Sequence, residues 1–174
     1  MNLYEATLKT HHQAQVHPFG KRMAGGNISQ QEWCDWLGAM AQLYQKLDTY
    51  LPPFLKRSPD LFLDLAQLLP LQAHRSKAVD DYIQSFSSPD DLKVIGGLAY
   101  LMTGANLRGG QLIRKKLDPK GYPCNFMNFT TANQEEAENW LRKMREFSEF
   151  GESTNQAFEM LAAVMDEIEA RYNK

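Results

Sequence analysis

No run of 18 apolar residues occurs in this chain, which excludes an ordinary membrane-spanning helix. Cysteine is scarce. Cys34 and Cys124 are the only two, far apart and in no metal-like spacing, so a disulfide scaffold and a zinc cluster are both excluded and a reduced protein with incidental thiols is expected. Neither sign of charge dominates. Nineteen Lys and Arg stand against 21 Asp and Glu, a net charge of −2, so nothing global calls for nucleic acid or an anionic membrane as partner. Alternating β-branched runs are missing, so no strand is expected. There are no internal repeats, low-complexity stretches or linkers, and 174 residues read as one domain over 1–174. The opening "MNLYEATLKTHHQ" is polar and helical in pattern, unlike a signal peptide, so a cytoplasmic monomer is expected.

What is present is a succession of helix signals, roughly seven helices. Asn2 caps a first helix near 3–16, ended by His17-Pro18. "KRMAGGNIS" carries a short helix into a turn at Gly25-Gly26-Asn27. "SQQE" (Ser29 to Glu32) is a capping box opening a helix of about 30–50, stopped by Pro52-Pro53. A shorter segment covers about 53–58; Ser58 then caps the next helix with Pro59 at its first position, and Pro70 ends it. "SKAVDDYIQSF" is a further helix, and Ser88 with Pro89 opens the longest segment, to residue 117. After the loop "DPKGYPCNFMNF", a helix capped by Thr131 or Asn133 precedes a periodic last helix, "STNQAFEMLAAVMDEIEARYNK". The fold class is all-α.

Two features carry chemistry. His11 shares a helix face with Leu3 and Thr7, whereas His12 is turned about 100° away. An inward histidine is either a hydrogen-bonded core residue or a metal or haem ligand, with a partner needed on its second ring nitrogen. The other feature is "GGLAYLMTGANLRGGQLIRKKL" (96–117), a helical segment with Gly104, Ala105, Gly109 and Gly110 in its middle. A glycine inside a helix costs about 0.5–1 kcal/mol relative to alanine. Small residues here serve either close helix packing, with a kink, or the approach of a flat ligand to the backbone. No Glu-x-x-His pairs of a di-iron bundle occur, and Asp80-Asp81 and Asp90-Asp91 read as helix charges rather than catalytic acids.

Taken in order, these segments resemble haem oxygenase. "EATLKTHHQA" (5–14) is similar to the family pattern E-A-T-x-x-x-H-x-Q-A, and the family's proximal histidine falls on His11. "AYLMTGANLRGGQLIRKK" resembles the distal helix A-Y-x-x-x-x-G-D-L-S-G-G-Q-x-x-x-K, placing Tyr100, Ala105, Asn106, Leu107, Gly109, Gly110 and Gln111 on its positions. "QLYQKLDTYL" (42–51) resembles the helix with a tyrosine of the distal water network, here Tyr44. "AFEMLAAVMDEIE" (157–169) resembles the helix closing over the haem, with Phe158 against it. The departures are Asn106 for the distal aspartate, Ala105 for a glycine, Met102 for a basic residue and Tyr4 for a propionate-binding lysine.

The resemblance implies a kinked, glycine-rich distal helix in a single-domain bundle. It implies haem b as both cofactor and substrate, with O2, and ring opening to biliverdin, ferrous iron and carbon monoxide. His11 is then the metal ligand. Thr7, Tyr100, Ala105, Gly109, Gly110 and Phe158 contact the haem, and Asn106, Tyr44 and Gly109 serve catalysis. Arg142 or Lys143 holds a propionate. An electron donor (ferredoxin or a flavin reductase) and a downstream bilin reductase are the implied partners. The alternative is a haem carrier or sensor in which Asn106 and Ala105 have removed turnover. The basic runs Arg114–Lys115–Lys116–Lys120 and Arg142–Lys143–Arg145 read either as solvated helix faces or as propionate contact and donor dock.

Overall fold

The structure, a computed structural model, describes residues 1–86 and 92–173. Among the described residues there are nine α-helices: α1 Leu3–Val16, α2 Pro18–Ala24, α3 Gln30–Leu47, α4 Ser58–Gln67, α5 Lys77–Ile83, α6 Leu92–Gly104, α7 Gly110–Leu117, α8 Thr131–Met144 and α9 Gly151–Tyr172. No strand occurs among the described residues. The helix start expected at Ser88 and Pro89, with Asp90-Asp91 behind it, lies outside the described residues.

Local signals set most helix starts. Asn2 accepts from the Glu5 N–H while Glu5 accepts from the Asn2 N–H, and Ser29 and Glu32 do the same for α3. Two starts differ from expectation. Ser58 is itself helical and its hydroxyl is buried without a partner. The buried Asp48 carboxylate takes its place, accepting from the N–H groups of Arg57 (3.2 Å) and Ser58 (2.8 Å). For α8 the cap is Thr130, whose hydroxyl accepts from Asn133 N–H, rather than Thr131 or Asn133.

The core centres on α3, which contributes Trp33, Leu37, Met40, Leu43, Tyr44 and Leu47, all 1% exposed or less. α9 crosses it and also packs along α1 and α6. The α6–α9 contact is close. A Cβ on Gly97 would lie 2.3 Å from Ser153 Oγ and 2.7 Å from Thr154 N, and Ser153 Oγ donates to Lys93 O at 2.7 Å. Asp35 on α3 clasps the last turn of α9, accepting from Arg171 (2.6 Å) and the Tyr172 hydroxyl (2.8 Å), and it also takes the His74 N–H (2.9 Å). Burial opposes ionisation there, but these donors outweigh it and hold Asp35 below the usual carboxylate range. Both cysteines are buried and unpaired. Burial raises both thiols, Cys124 to about 12, so neither is a nucleophile at neutral pH.

Candidate functional site

The glycine-rich segment neither breaks nor remains α-helical. Between α6 and α7 the chain makes a π-helical turn, Ala105–Gly109, so helix 92–117 is continuous but locally widened. Its glycines divide by environment. A Cβ at Gly109 would meet nothing within 4 Å, and one at Gly104 only Leu141 Cδ2 at 3.9 Å. Gly110 is a packing glycine, with Met127 Cγ 3.2 Å from such a Cβ. Gln111 ties the turn down, its amide donating to Met127 O (2.6 Å) and Asn106 O (3.2 Å).

The open side of this turn forms one wall of a mainly apolar cavity of about 420 Å³. Ligand sites run from ~300 to ~1,000 Å³. α1 forms the facing wall with His11 and Thr7, and α9 adds Phe158, Leu161 and Met165. Asp64 fixes the floor. Its buried carboxylate accepts from Asn125 N–H (2.8 Å) and Phe126 N–H (3.0 Å), setting the turn from which Phe126 and Met127 line the cavity.

Of the residues singled out in the sequence, His11, Thr7, Tyr100, Ala105, Asn106, Gly109, Gly110 and Phe158 all line this cavity. Burial, then the charge of Arg108, then that of His12 lower the His11 pKa and keep its imidazole neutral, the ligating form. The ring packs on Phe158 with centroids 5.6 Å apart. Gln15, one turn on, reaches His11 Nε2 with its amide nitrogen at 3.2 Å. Gln15 thus engages one ring nitrogen, and rotating the ring exchanges the two. Thr7 gives contact rather than a proton, because its hydroxyl donates back to Leu3 O at 3.0 Å.

Tyr44 does not reach the cavity. It stands behind Asn106, 1% exposed, and its oxygen accepts from Asn106 Nδ2 at 2.9 Å. Burial pushes the phenol far up, so it stays protonated. Asn106 Nδ2 gives one of its two N–H groups to Tyr44, which fixes the amide and leaves its carbonyl Oδ1 to accept from whatever enters. Arg142 and Lys143 are exposed and do not line the cavity; Arg145 does, with its guanidinium 6.0 Å from the Tyr4 ring and its Nε buried without a partner. Reading the sequence took Arg145 only as part of a basic run and passed over Gln15 and Arg108. Phasing α8 on the buried Ala137 and Leu141 finds the first, since 137, 141 and 145 share a face.

Among the described residues no group of three His, Cys, Asp or Glu converges to hold a metal ion. No helix there is long and apolar enough to cross a membrane.

The family model Heme oxygenase matches residues 1–171. The chain is similar in structure to haem oxygenase-1 from the cyanobacterium Synechocystis sp. PCC6803 in complex with haem, with a TM-score of 0.80, 19% identity, and coverage of 97% of this chain and 91% of that one. The haem oxygenase from Leptospira interrogans gives a TM-score of 0.78 at 19% identity, over 95% of this chain and 97% of that one. Haem oxygenase-2 from Synechocystis sp. PCC 6803, in complex with haem and NO, gives 0.77 at 20% identity, over 98% and 86%. No curated protein matches the sequence.

Proposed function

The chain belongs to the haem oxygenase family, and from that premise we propose that it opens haem b to biliverdin, releasing ferrous iron and carbon monoxide, with O2 and electrons from a ferredoxin or a flavin reductase. The observation that carries this reading is a neutral His11 lining the same cavity as a helical turn left open at Gly104 and Gly109. The cavity also suits a flat apolar dianion. Its walls are mainly apolar, and among the described residues its charged side chains are Arg108 and Arg145, with no carboxylate. The iron of bound haem supplies the centre at which O2 is activated.

The protein's part is binding, orientation and proton supply. His11 would hold the iron, with Gln15 and Phe158 setting the plane of its ring. Gly104 and Gly109 keep Cβ atoms off the opposite face, so the helix backbone lies close over the ring and confines the space beside it. Asn106, steadied by Tyr44, holds a water at Oδ1 and so places a proton donor in that space. Arg145, rather than Arg142 or Lys143, takes a propionate by a charge-assisted hydrogen bond. Of the basic run along α7 and the turn after it, Arg114 is paired with Asp118 and Lys120 donates to Gly26 O, which leaves Lys115 and Lys116 to dock an acidic electron donor. We place the protein in the cytoplasm as a single-domain monomer, passing its product to a bilin reductase.

Titration with haemin, followed by reduction under air, tests this. His11→Ala loses the axial-ligand spectrum and His12→Ala keeps it, and wild type then develops biliverdin absorbance. The neutral Asn106 in place of the family aspartate favours a second reading, a haem carrier or sensor. Normal haemin binding with no biliverdin on reduction selects that one.

A further inference from the structure

Arg108 was not among the residues that pattern or composition singled out, and no side-chain hydrogen bond engages it among the described residues. It stands in the π-turn, at the position the family pattern quoted above gives to serine. Its side chain is exposed, yet it lines the cavity, so it lies at the mouth. No ion pair engages it among the described residues, although six of the Lys and Arg side chains form one. Tyr100, Gly104, Arg108 and Leu112 recur every four residues and all line the cavity, a ridge rising about 6 Å per step along one edge. The other charged side chain, Arg145, comes from a different wall: α8 meets the ridge at Gly104 through Leu141, and Arg145 lies beyond it over Tyr4.

We propose that Arg108 is a second carboxylate anchor, taking one haem propionate from the distal helix while Arg145 takes the other, and that this pair selects the orientation of the ring in its plane. This rests on the haem reading of the site. A ring inserted edge-on buries its apolar body and leaves its two carboxylates at the mouth. Water solvates them there unless a guanidinium offers its fork of donors. One cation leaves the ring free to turn about its iron–nitrogen axis. Two cations on different walls favour one seating, and the seating decides which meso carbon faces the space beside Asn106. Arg108 is therefore a specificity determinant as well as a binding residue.

The test measures dissociation constants of haemin and of haemin dimethyl ester for wild type, Arg108→Gln and Arg142→Gln, with the haem-methyl proton NMR pattern of each ferric complex. The surface position makes folding of both variants safe. Arg108→Gln should weaken haemin about tenfold, the effect of one charged hydrogen bond. It should bind the ester as wild type does, and its methyl pattern should show redistributed ring orientations. Arg142→Gln should change none of these. If Arg108→Gln binds haemin as tightly as wild type with an unchanged methyl pattern, Arg108 is no anchor and the haem reading stands. If wild type itself fails to bind haemin, both fall.

Discussion

The two halves of the helix from 92 to 117 use glycine for opposite purposes. At Gly96 and Gly97 the missing Cβ is filled by another part of the protein: Phe150 Cε1 comes to 2.6 Å of the first position, and Ser153 Oγ to 2.3 Å of the second. At Gly104 and Gly109 the missing Cβ is filled by nothing of the kind. Identical residues at similar helical cost thus divide into packed and open by what stands opposite them. The upper pair draws α9 in close. That contact places Phe158, Leu161 and Met165 as a roof, so the upper half builds the enclosure that the lower half keeps empty.

The sharpest way to break this comparison is at Gly97. A methyl there meets the backbone nitrogen of Thr154 at 2.7 Å, so α6 and α9 must separate. Gly97→Ala should cost about 3 kcal/mol, the upper range for overpacking, as a lowered urea midpoint. An unchanged midpoint would show that the helix contact is not tight. Gly109→Leu should do the reverse. The urea midpoint of the haem-free protein holds or rises slightly, because leucine suits a helix better than glycine by under about 1 kcal/mol. Haemin affinity falls at least about a hundredfold, nearly 3 kcal/mol, as the side chain fills the slot. Wild-type affinity in that variant would make Gly109 a neutral surface glycine.

The smallest effect separates charge from space in the open half. His11 sits below its ordinary value of 6.5 through burial first, Arg108 second and His12 third. The unfolded chain therefore binds this proton more tightly. Stability is unaffected above about 6.5 and declines as pH falls from there to the folded-state pKa, where the decline ends. In Arg108→Gln the His11 ring-proton NMR titration should move up towards 6.5. In Gly109→Ala, which adds a methyl and no charge, it should stay. Equal midpoints in wild type and Arg108→Gln would leave burial as the whole cause.

Much of this was legible beforehand because the signals were local. The Asn2/Glu5 and Ser29/Glu32 boxes and the Gly-Gly-Gln run act within a turn or two of chain. His11 was legible for the same reason, since its face follows from helical phase. What failed depended on partners distant in sequence. Asp48 replaces Ser58 as the cap of α4 from ten residues away. Tyr44 reaches the cavity only through Asn106, 62 residues on. Arg142 and Lys143 lie on the exposed side of α8 and outside the cavity, where local phase rather than a distant partner decides, as the Ala137–Leu141 face shows. Whether a given glycine is packed or open is settled by elements such as Phe150 and Met127, which no local pattern of the helix contains.

The π-turn has a further consequence, for length rather than composition. It spends more residues on a turn than an α-helix does, and the carbonyl of Asn106 accepts the Gln111 amide. Deleting one residue between 105 and 109 would remove the surplus that the wide turn absorbs, and the segment could close as an ordinary helix with everything after it near its present face. Leu117 would stay in the core and Lys115 and Lys116 on their side, while the widened wall of the cavity would be lost. A deletion in the regular turns on either side has no such surplus to draw on and would rotate everything after it by about 100°. The same single-codon loss would therefore abolish the slot at one place and misdirect the whole of α7 at another.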